Sequence, residues 1–155
     1  EYVVMRSVPS PRPDLQGRKL DRTGVFEQVA VVPVVSTHVD GGHVDATATT
    51  IAVLSTEGFP ESGELLIAGN HSMAASEIVR YAGKTETSLL NCTRGAGSTV
   101  AASHWTGARV WSLSALRFTQ ELPATGRQYY YAVRAREHSG LQSPYSRISN
   151  AAFVK

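Results

Sequence analysis

The sequence predicts an all-β protein built from short strands. Segments rich in β-branched and aromatic residues recur along the chain, and Gly, Pro, Asn and Asp separate them at short intervals. No window carries a sustained apolar stripe with the 3.6-residue period of a helix. This pattern is typical of a β-sandwich or a small barrel. At 155 residues, the chain fits one domain or two small domains.

The expected strands begin at residue 25. The segment 25–37 is dense in valine, and Pro33 within it predicts a strand that is bulged or lies at a sheet edge. The segment 126–136 alternates most clearly, with Tyr129 and Tyr131 on one face and Tyr130 on the other. The remaining strands are expected at 49–56, 64–68, 77–81, 88–92, 108–113, 116–122 and 146–154.

The first 24 residues predict an extended arm. Pro9, Pro11 and Pro13 fall within five residues, which excludes a helix and favours a polyproline-like conformation. We therefore expect residues 1–24 to form an arm or linker that wraps a neighbouring subunit. A disordered terminus is the alternative.

Composition and charge limit the function classes. The net charge is +2, and the basic residues are scattered instead of gathered on one stripe, which argues against nucleic-acid binding. No apolar run approaches the roughly 18 residues of a transmembrane helix, so no membrane contact is expected. Charged residues make up only 18% of the chain, which suits strands whose faces are covered by a second sheet or a neighbouring subunit. Cys92 is the single cysteine and is expected to be buried in a strand.

One segment contains residue types that bind metals. His38, Asp40, His43 and Asp45 flank an Asp-Gly-Gly hairpin signal, and imidazole with carboxylate suits zinc or similar ions. The two arms of a hairpin run in opposite directions, however, and a closed site would need further ligands from elsewhere. We therefore expect a polar hairpin tip, with no metal and no other cofactor.

The residues that could carry catalysis form no recognisable constellation. Glu57, Glu61 and Glu64 cluster around a turn, where solvated acids are expected instead of a paired carboxylate site. The Gly-rich segment 95–98 lacks the lysine and the helix of a phosphate-binding loop. His104 is expected to make structural hydrogen bonds in a loop. No catalytic residue is predicted, and the chain is not expected to be an enzyme.

Two aromatic residues are the candidate binding residues. Trp105 falls in an expected loop, where it is available to a sugar or a protein partner, whereas Trp111 lies in a strand and is expected to be core. Tyr130 lies on the face opposite Tyr129 and Tyr131, and tyrosine is enriched at interfaces.

Short motifs follow one another in a fixed order between residues 48 and 112. They are Gly58-Phe59-Pro60 at a turn, Glu77-Ile78-Val79-Arg80-Tyr81 in a strand, Thr93-Arg94-Gly95 in a loop, then His104, Gly107-Ala108 and Val110. In this order the segment resembles a small β module found repeatedly in structural proteins of tailed bacteriophage virions. The loop at residues 69–76 is longer than the corresponding loop of that module.

The C-terminal segment carries a second resemblance. Residues 113–155 contain Leu122-Pro123-Ala124-Thr125, the run Tyr129-Tyr130-Tyr131-Ala132-Val133-Arg134-Ala135, and Ser143-Pro144-Tyr145-Ser146. This segment resembles the last strands of a fibronectin type III sandwich. The resemblance implies a β-sandwich with a scaffold or adhesion role. Its missing strands would come from the hairpin region 25–47, with 48–112 inserted between, or from another chain.

The phage resemblance implies a virion structural protein of a tail, neck, baseplate or capsid decoration, assembled in the host cytoplasm. Its partners would be other virion proteins and copies of itself. The alternative is a module that binds carbohydrate or a host surface, as part of a fibre or as a secreted or cell-surface accessory domain. The partner would then be a host-surface glycan.

Overall fold

The predicted all-β fold class is confirmed. A computed structural model describes residues 1–7, 26–69, 76–121, 128–144, 146 and 152–153, and these contain strands and turns without a helix. Accordingly, no described segment is a long apolar helix that could span a membrane. The strands are β1 (Tyr2–Ser7), β2 (Phe26–Val32), β3 (Ser36–His38), β4 (His43–Val44), β5 (Ile51–Ala52), β6 (Gly63–Ile67), β7 (Glu77–Tyr81), β8 (Gly83–Lys84), β9 (Ser88–Leu90), β10 (Thr93–Ala96), β11 (His104–Trp105), β12 (Arg109–Ser112), β13 (Gln128–Tyr129), β14 (Tyr131–Ala135) and β15 (Ala152–Phe153).

The chain divides into two compact units. One, called here the split unit, combines Glu1–Pro33 with Phe118–Lys155, and the other, the inserted unit, is Val34–Arg117. The boundaries differ from the expected ones at the region 25–47, which the structure divides at Pro33. Strand β2 belongs to the split unit, whereas β3 and β4 belong to the inserted unit.

The strands of the inserted unit close into a barrel. One sheet has the order β10-β7-β6-β12-β3, and another has the order β5-β9-β8. The chain passes from β7 to β8 and from β9 to β10 almost without interruption, so each of these pairs joins the two sheets. On the other side β3 continues to Val39, which forms a bridge with Val53 beyond β5, and Leu54 N donates to His38 O at 3.0 Å. The strands therefore form a closed ring of hydrogen-bonded neighbours, in the order β3, β12, β6, β7–β8, β9–β10, β5 and back to β3.

Alternate residues of these strands fill the barrel. Leu65 and Ile67 of β6 have no exposed surface, and Leu66 between them is half-buried, as a period of two requires. The buried core also contains Val39, Val44, Ile51, Val53, Phe59, Val79, Tyr81, Leu89, Cys92, Ala108 and Val110. Cys92 is buried, as predicted. Because side chains from all around the ring meet in one core, no strand can leave it without exposing apolar surface.

Strand β1 lies at the centre of a sheet in the split unit, with the order β14-β1-β2. Val3, Val4 and Met5 are all buried, so both faces of this strand are covered. The expectation of an extended arm over residues 1–24 is therefore wrong for residues 2–7. Their β-branched and apolar side chains favour a strand, and the prolines that predicted the arm follow them in sequence. The rest of that predicted arm lies outside the described residues.

The long strand expected at 126–136 is interrupted at Tyr130. Before it, β13 pairs with β15, and after it, β14 pairs with β1. The backbone N–H of Tyr130 donates to Ser7 Oγ at 2.9 Å, and Ser7 N donates to Tyr130 O at 2.8 Å. The chain thus changes its pairing partner at this residue. The prediction of a strand at 116–122 is wrong over residues 116–121, where the chain is irregular.

The two edges of the β14-β1-β2 sheet differ. Beyond β14, Arg136 bridges to Gln142, and Ser146 N donates to Val133 O at 2.7 Å. Strand β2 pairs only with β1 within the described residues. Its register shifts by one residue opposite Val4 and Met5, which leaves a β-bulge at Val29.

Candidate functional site

The two predicted binding residues belong to different units and differ in exposure. Trp105, in β11 of the inserted unit, is 58% exposed. Tyr130, in the split unit, is half-buried at the change of pairing partner described above. Trp111 is half-buried in β12, and the Arg109 guanidinium lies 5.7 Å from its ring centroid. Of the two candidates, Trp105 therefore presents the larger accessible aromatic surface.

The inserted unit contains a buried polar cluster centred on Glu77, at the start of β7. Arg94 of β10 donates two hydrogen bonds to the Glu77 carboxylate, from Nε to Oε1 at 2.9 Å and from Nη2 to Oε2 at 2.7 Å. The backbone N–H groups of Gly95 and Ala102 donate to the same carboxylate at 2.7 and 3.1 Å, and His104 Nε2 lies 3.0 Å from Oε2. We call these five groups the Glu77 lock.

Arg94 ties further segments to the lock. Its Nη2 donates to Ala102 O at 2.7 Å, and its Nη1 donates to the backbone carbonyl of Asp45. Gly95 next to it has φ +64°, and a Cβ there would lie only 3.0 Å from Ala101 N. Only glycine permits this close approach, which brings the Gly95 amide onto the carboxylate. The Gly-rich segment 95–98 forms the end of β10 and the turn that completes the lock.

The charge of Glu77 is maintained despite its burial. Burial acts to raise the pKa of the Glu77 carboxyl, but the hydrogen bonds from Arg94, Ala102, Gly95 and His104 outweigh it and hold the pKa below its ordinary value of 4.5. An ionised carboxylate only accepts hydrogen bonds, so Nε2 of His104 carries a proton and donates it to this bond. The carboxylate is therefore fully occupied by internal donors.

The three side chains of the lock are shielded from solvent. Glu77 and His104 side chains are 0% and 1% exposed, and Arg94 is 6% exposed. The structural hydrogen bonding predicted for His104 is confirmed, although the residue lies in β11 and not in a loop. Sequence reasoning missed Glu77 and Arg94 as partners. The available signal was the period of two, which puts Glu77 on the same inward face as Val79 and Tyr81, where an ionised group needs a partner.

The histidines and aspartates around the 40–43 turn have separate roles. Asp45 accepts from Thr47 N at 2.9 Å and Thr47 Oγ1 at 2.8 Å, which holds the pKa of its carboxyl below the ordinary 3.8. His43 packs its ring against Trp105, with ring centroids 4.6 Å apart. Within the described residues, no group of three His, Cys, Asp or Glu side chains is placed to hold a metal ion.

The acidic residues expected around the 57–64 turn are not gathered into one pair. Glu64 forms an ion pair with Arg80 at 2.7 Å. Glu57 and Glu61 line an open depression of about 590 Å³ together with Leu54, Ser55, Thr56, Lys84, Thr85, Glu86 and Thr87. Lys84 Nζ donates to Phe59 O at 2.7 Å and lies 3.7 Å from the Glu61 carboxylate. This ammonium group is therefore held by backbone carbonyls and by the Glu61 carboxylate.

Comparison with known proteins assigns no family to this chain. No protein-family description matches it, and no curated protein matches its sequence significantly. Its function has to be inferred from the geometry above and from the motifs that carry the resemblance.

Proposed function

We propose that the chain is a structural component of a bacteriophage virion, in a tail, neck, baseplate or capsid-decoration position, and that it acts through protein–protein contacts. One observation carries the proposal. Glu77, Arg94 and His104 come from three separate motifs of the phage-module resemblance, and their side chains meet in the Glu77 lock. The motifs thus encode the architecture of the module, which is what a structural role requires.

A closed barrel suits a structural protein that must keep its shape in an assembly. Its ring of ladders is continuous, and the lock ties β7, β10 and β11 and the turn at Asp45 together. A buried ion pair adds little net stability over apolar packing, but it favours one arrangement because misplacing either charge is costly.

The split unit offers a surface for assembly. Strand β2 is seven residues long and pairs on one side within the described residues, and Val31 on it is 37% exposed. Exposed sheet edges recruit strands from other chains, because each added strand satisfies a row of backbone groups. We propose that copies of the chain or neighbouring virion proteins add a strand at β2.

Particle association tests the proposal directly. Phage particles from a culture that encodes the chain would be labelled with antibodies against the purified protein and imaged by cryo-electron microscopy. We expect labelling at one symmetric ring, spike or surface lattice, and light scattering of the purified chain should detect oligomers. Unlabelled particles together with a stable monomer in solution would contradict the virion role.

A further inference from the structure

His43 and Trp105 form an aromatic corner on the surface of the inserted unit. They face each other across the β4–β11 ladder, with ring centroids 4.6 Å apart and ring planes at 55°. The indole is 58% exposed, and His43 is also exposed. The two rings are therefore tilted against each other in contact instead of stacked, and both residues remain exposed.

The corner is fixed in place by the backbone around it. Thr106, next to Trp105, donates its N–H to Gly42 O at 2.8 Å, and its Oγ1 accepts from Gly42 N at 2.7 Å. Gly42 has φ +99°, a conformation that glycine adopts without strain. Beneath the corner, His104 and Val44 are buried. The rings are thus held before any ligand arrives, which lowers the entropic cost of binding.

The residues next to the corner in sequence are small or polar. Asp40, Gly41, Gly42, Thr106 and Gly107 are all exposed, and the Thr106 hydroxyl donates to Gly42 O at 2.9 Å. The Asp40 carboxylate makes no hydrogen bond or ion pair within the described part of the chain. A ligand that fits needs a flat apolar face for the indole and hydroxyl groups for the polar residues beside it. Sugar rings have this combination, because one face presents C–H groups and the edge carries hydroxyls.

We propose that His43 and Trp105 form a carbohydrate-binding site, in which a sugar ring packs on the exposed surface of the Trp105 indole, beside the His43 ring. A protein partner fits less well. Stable protein interfaces bury roughly 800 Å² per partner around a ring of contacts that excludes water, whereas the corner consists of two exposed rings and the short turns beside them. This site is independent of the proposed virion role, since fibre proteins and free modules could both use it.

Intrinsic fluorescence of the full chain tests the site. Both tryptophans lie in the inserted unit, and Trp105 is the more exposed one. N-acetylglucosamine tetramer, maltohexaose and mannohexaose would each be titrated to about 10 mM, ten times an expected Kd of about 1 mM for one sugar ring on one aromatic. We expect at least one of these oligosaccharides to bind and to change the tryptophan emission.

Variants separate the corner from other surfaces. Trp105→Ala and His43→Ala are expected to weaken binding, by at least about tenfold for Trp105→Ala, and Trp105→Phe should restore part of it. Leu54→Ala is the matched control, because Leu54 is also 58% exposed but lines the depression, and it should bind like the unmodified chain. Calorimetric titration replaces fluorescence for the Trp105 variants.

Three results would overturn the site. The first is that none of the three oligosaccharides binds at about 10 mM. The second is binding that survives Trp105→Ala with the thermal unfolding midpoint unchanged. The third is self-association of the chain that Trp105→Ala abolishes, which would identify the corner as a protein contact. None of these outcomes decides whether the chain belongs to a virion, which particle labelling tests separately.

Discussion

The inserted and split units differ in how their sheets end. In the inserted unit the ladders return to β3 through the bridge between Val39 and Val53, so the strands on the ring have neighbours on both sides. In the split unit the described sheet runs β14-β1-β2, and β2 has one described neighbour. Ring closure removes the exposed backbone that recruits other chains, whereas an open edge keeps it. This difference among the described residues is why the proposed assembly contact is placed at β2 and not on the barrel.

Among the described residues, the two units also differ in one buried ion pair, which the inserted unit has in addition to its exposed pairs. Glu77 and Arg94 of the inserted unit are buried together, with every carboxylate oxygen occupied. The split unit pairs Arg6 with Glu27 and Arg136 with Glu1, and in both pairs the acid is at least 36% exposed. Exposed pairs contribute little to stability, whereas removing one partner of a buried pair leaves an uncompensated charge. The stability of the inserted unit should therefore depend strongly on one residue.

Removing the Glu77 carboxylate is the change with the largest expected effect. Glu77→Ala leaves the Arg94 guanidinium buried without its partner, and we expect it to lower the free energy of unfolding by about 3–5 kcal/mol. Urea unfolding followed by tryptophan fluorescence measures this in the inserted unit alone, because it contains both tryptophans. If Glu77→Ala does not fold, Glu77→Gln keeps the shape of the side chain and should lose less.

The matched control for this prediction is Glu64→Ala. Glu64 pairs with Arg80 on the neighbouring strands β6 and β7, but the two side chains are 41% and 64% exposed. We expect this variant to change the free energy of unfolding by at most about 1 kcal/mol. Equal effects of the two variants would show that the Glu77 lock is no more important than a surface ion pair.

Reactivity of Cys92 measures how often the barrel opens. Burial raises the pKa of its thiol from 9.0 to about 11, with a smaller opposing effect of the Arg94 charge. At pH 8 this lowers the reactive thiolate fraction about a hundredfold, so iodoacetamide should modify the folded chain at least about a hundredfold more slowly than the urea-unfolded chain. Rapid modification of the folded chain would mean that the ring opens locally and is not the rigid part.

Acid should weaken the inserted unit through Glu77. Its pKa in the folded chain lies below 4.5, so its contribution to stability is complete above that pH and is lost as pH falls through the lowered pKa. Urea unfolding followed by tryptophan fluorescence should therefore give a free energy that falls more steeply between about pH 5 and pH 3 than it does for Glu77→Gln. Asp45 also has a lowered pKa, but it is present in both proteins and cancels. Parallel pH curves would show that the Glu77 charge does not support the fold.

The sequence predicted the fold class because strand periodicity is a local property. The alternation of side chains around Tyr129, Leu65 and Val79 shows this periodicity, and all three residues are buried, as the alternation predicts. The closure of the ring could not be predicted from the sequence, because the bridge from Val39 to Val53 depends on pairings between distant segments. Strand β1 was missed because three prolines after it dominated the interpretation of residues 1–24. Trp105 is exposed, although it lies in strand β11 and not in the loop where it was expected, and its contact with His43 depends on the register of β4 and β11.

The smallest expected effect on stability is that of a substitution in β2, the strand that has one neighbour among the described residues. Val31 is 37% exposed, so Val31→Lys should change the free energy of unfolding by less than about 1 kcal/mol while its charge blocks the addition of a further strand. Sedimentation velocity over a range of concentrations should detect oligomers of the unmodified chain and mainly monomers of the variant. Leu54→Lys adds the same charge to the inserted unit and should leave the oligomers intact. If both variants assemble like the unmodified chain, the assembly contact lies away from β2.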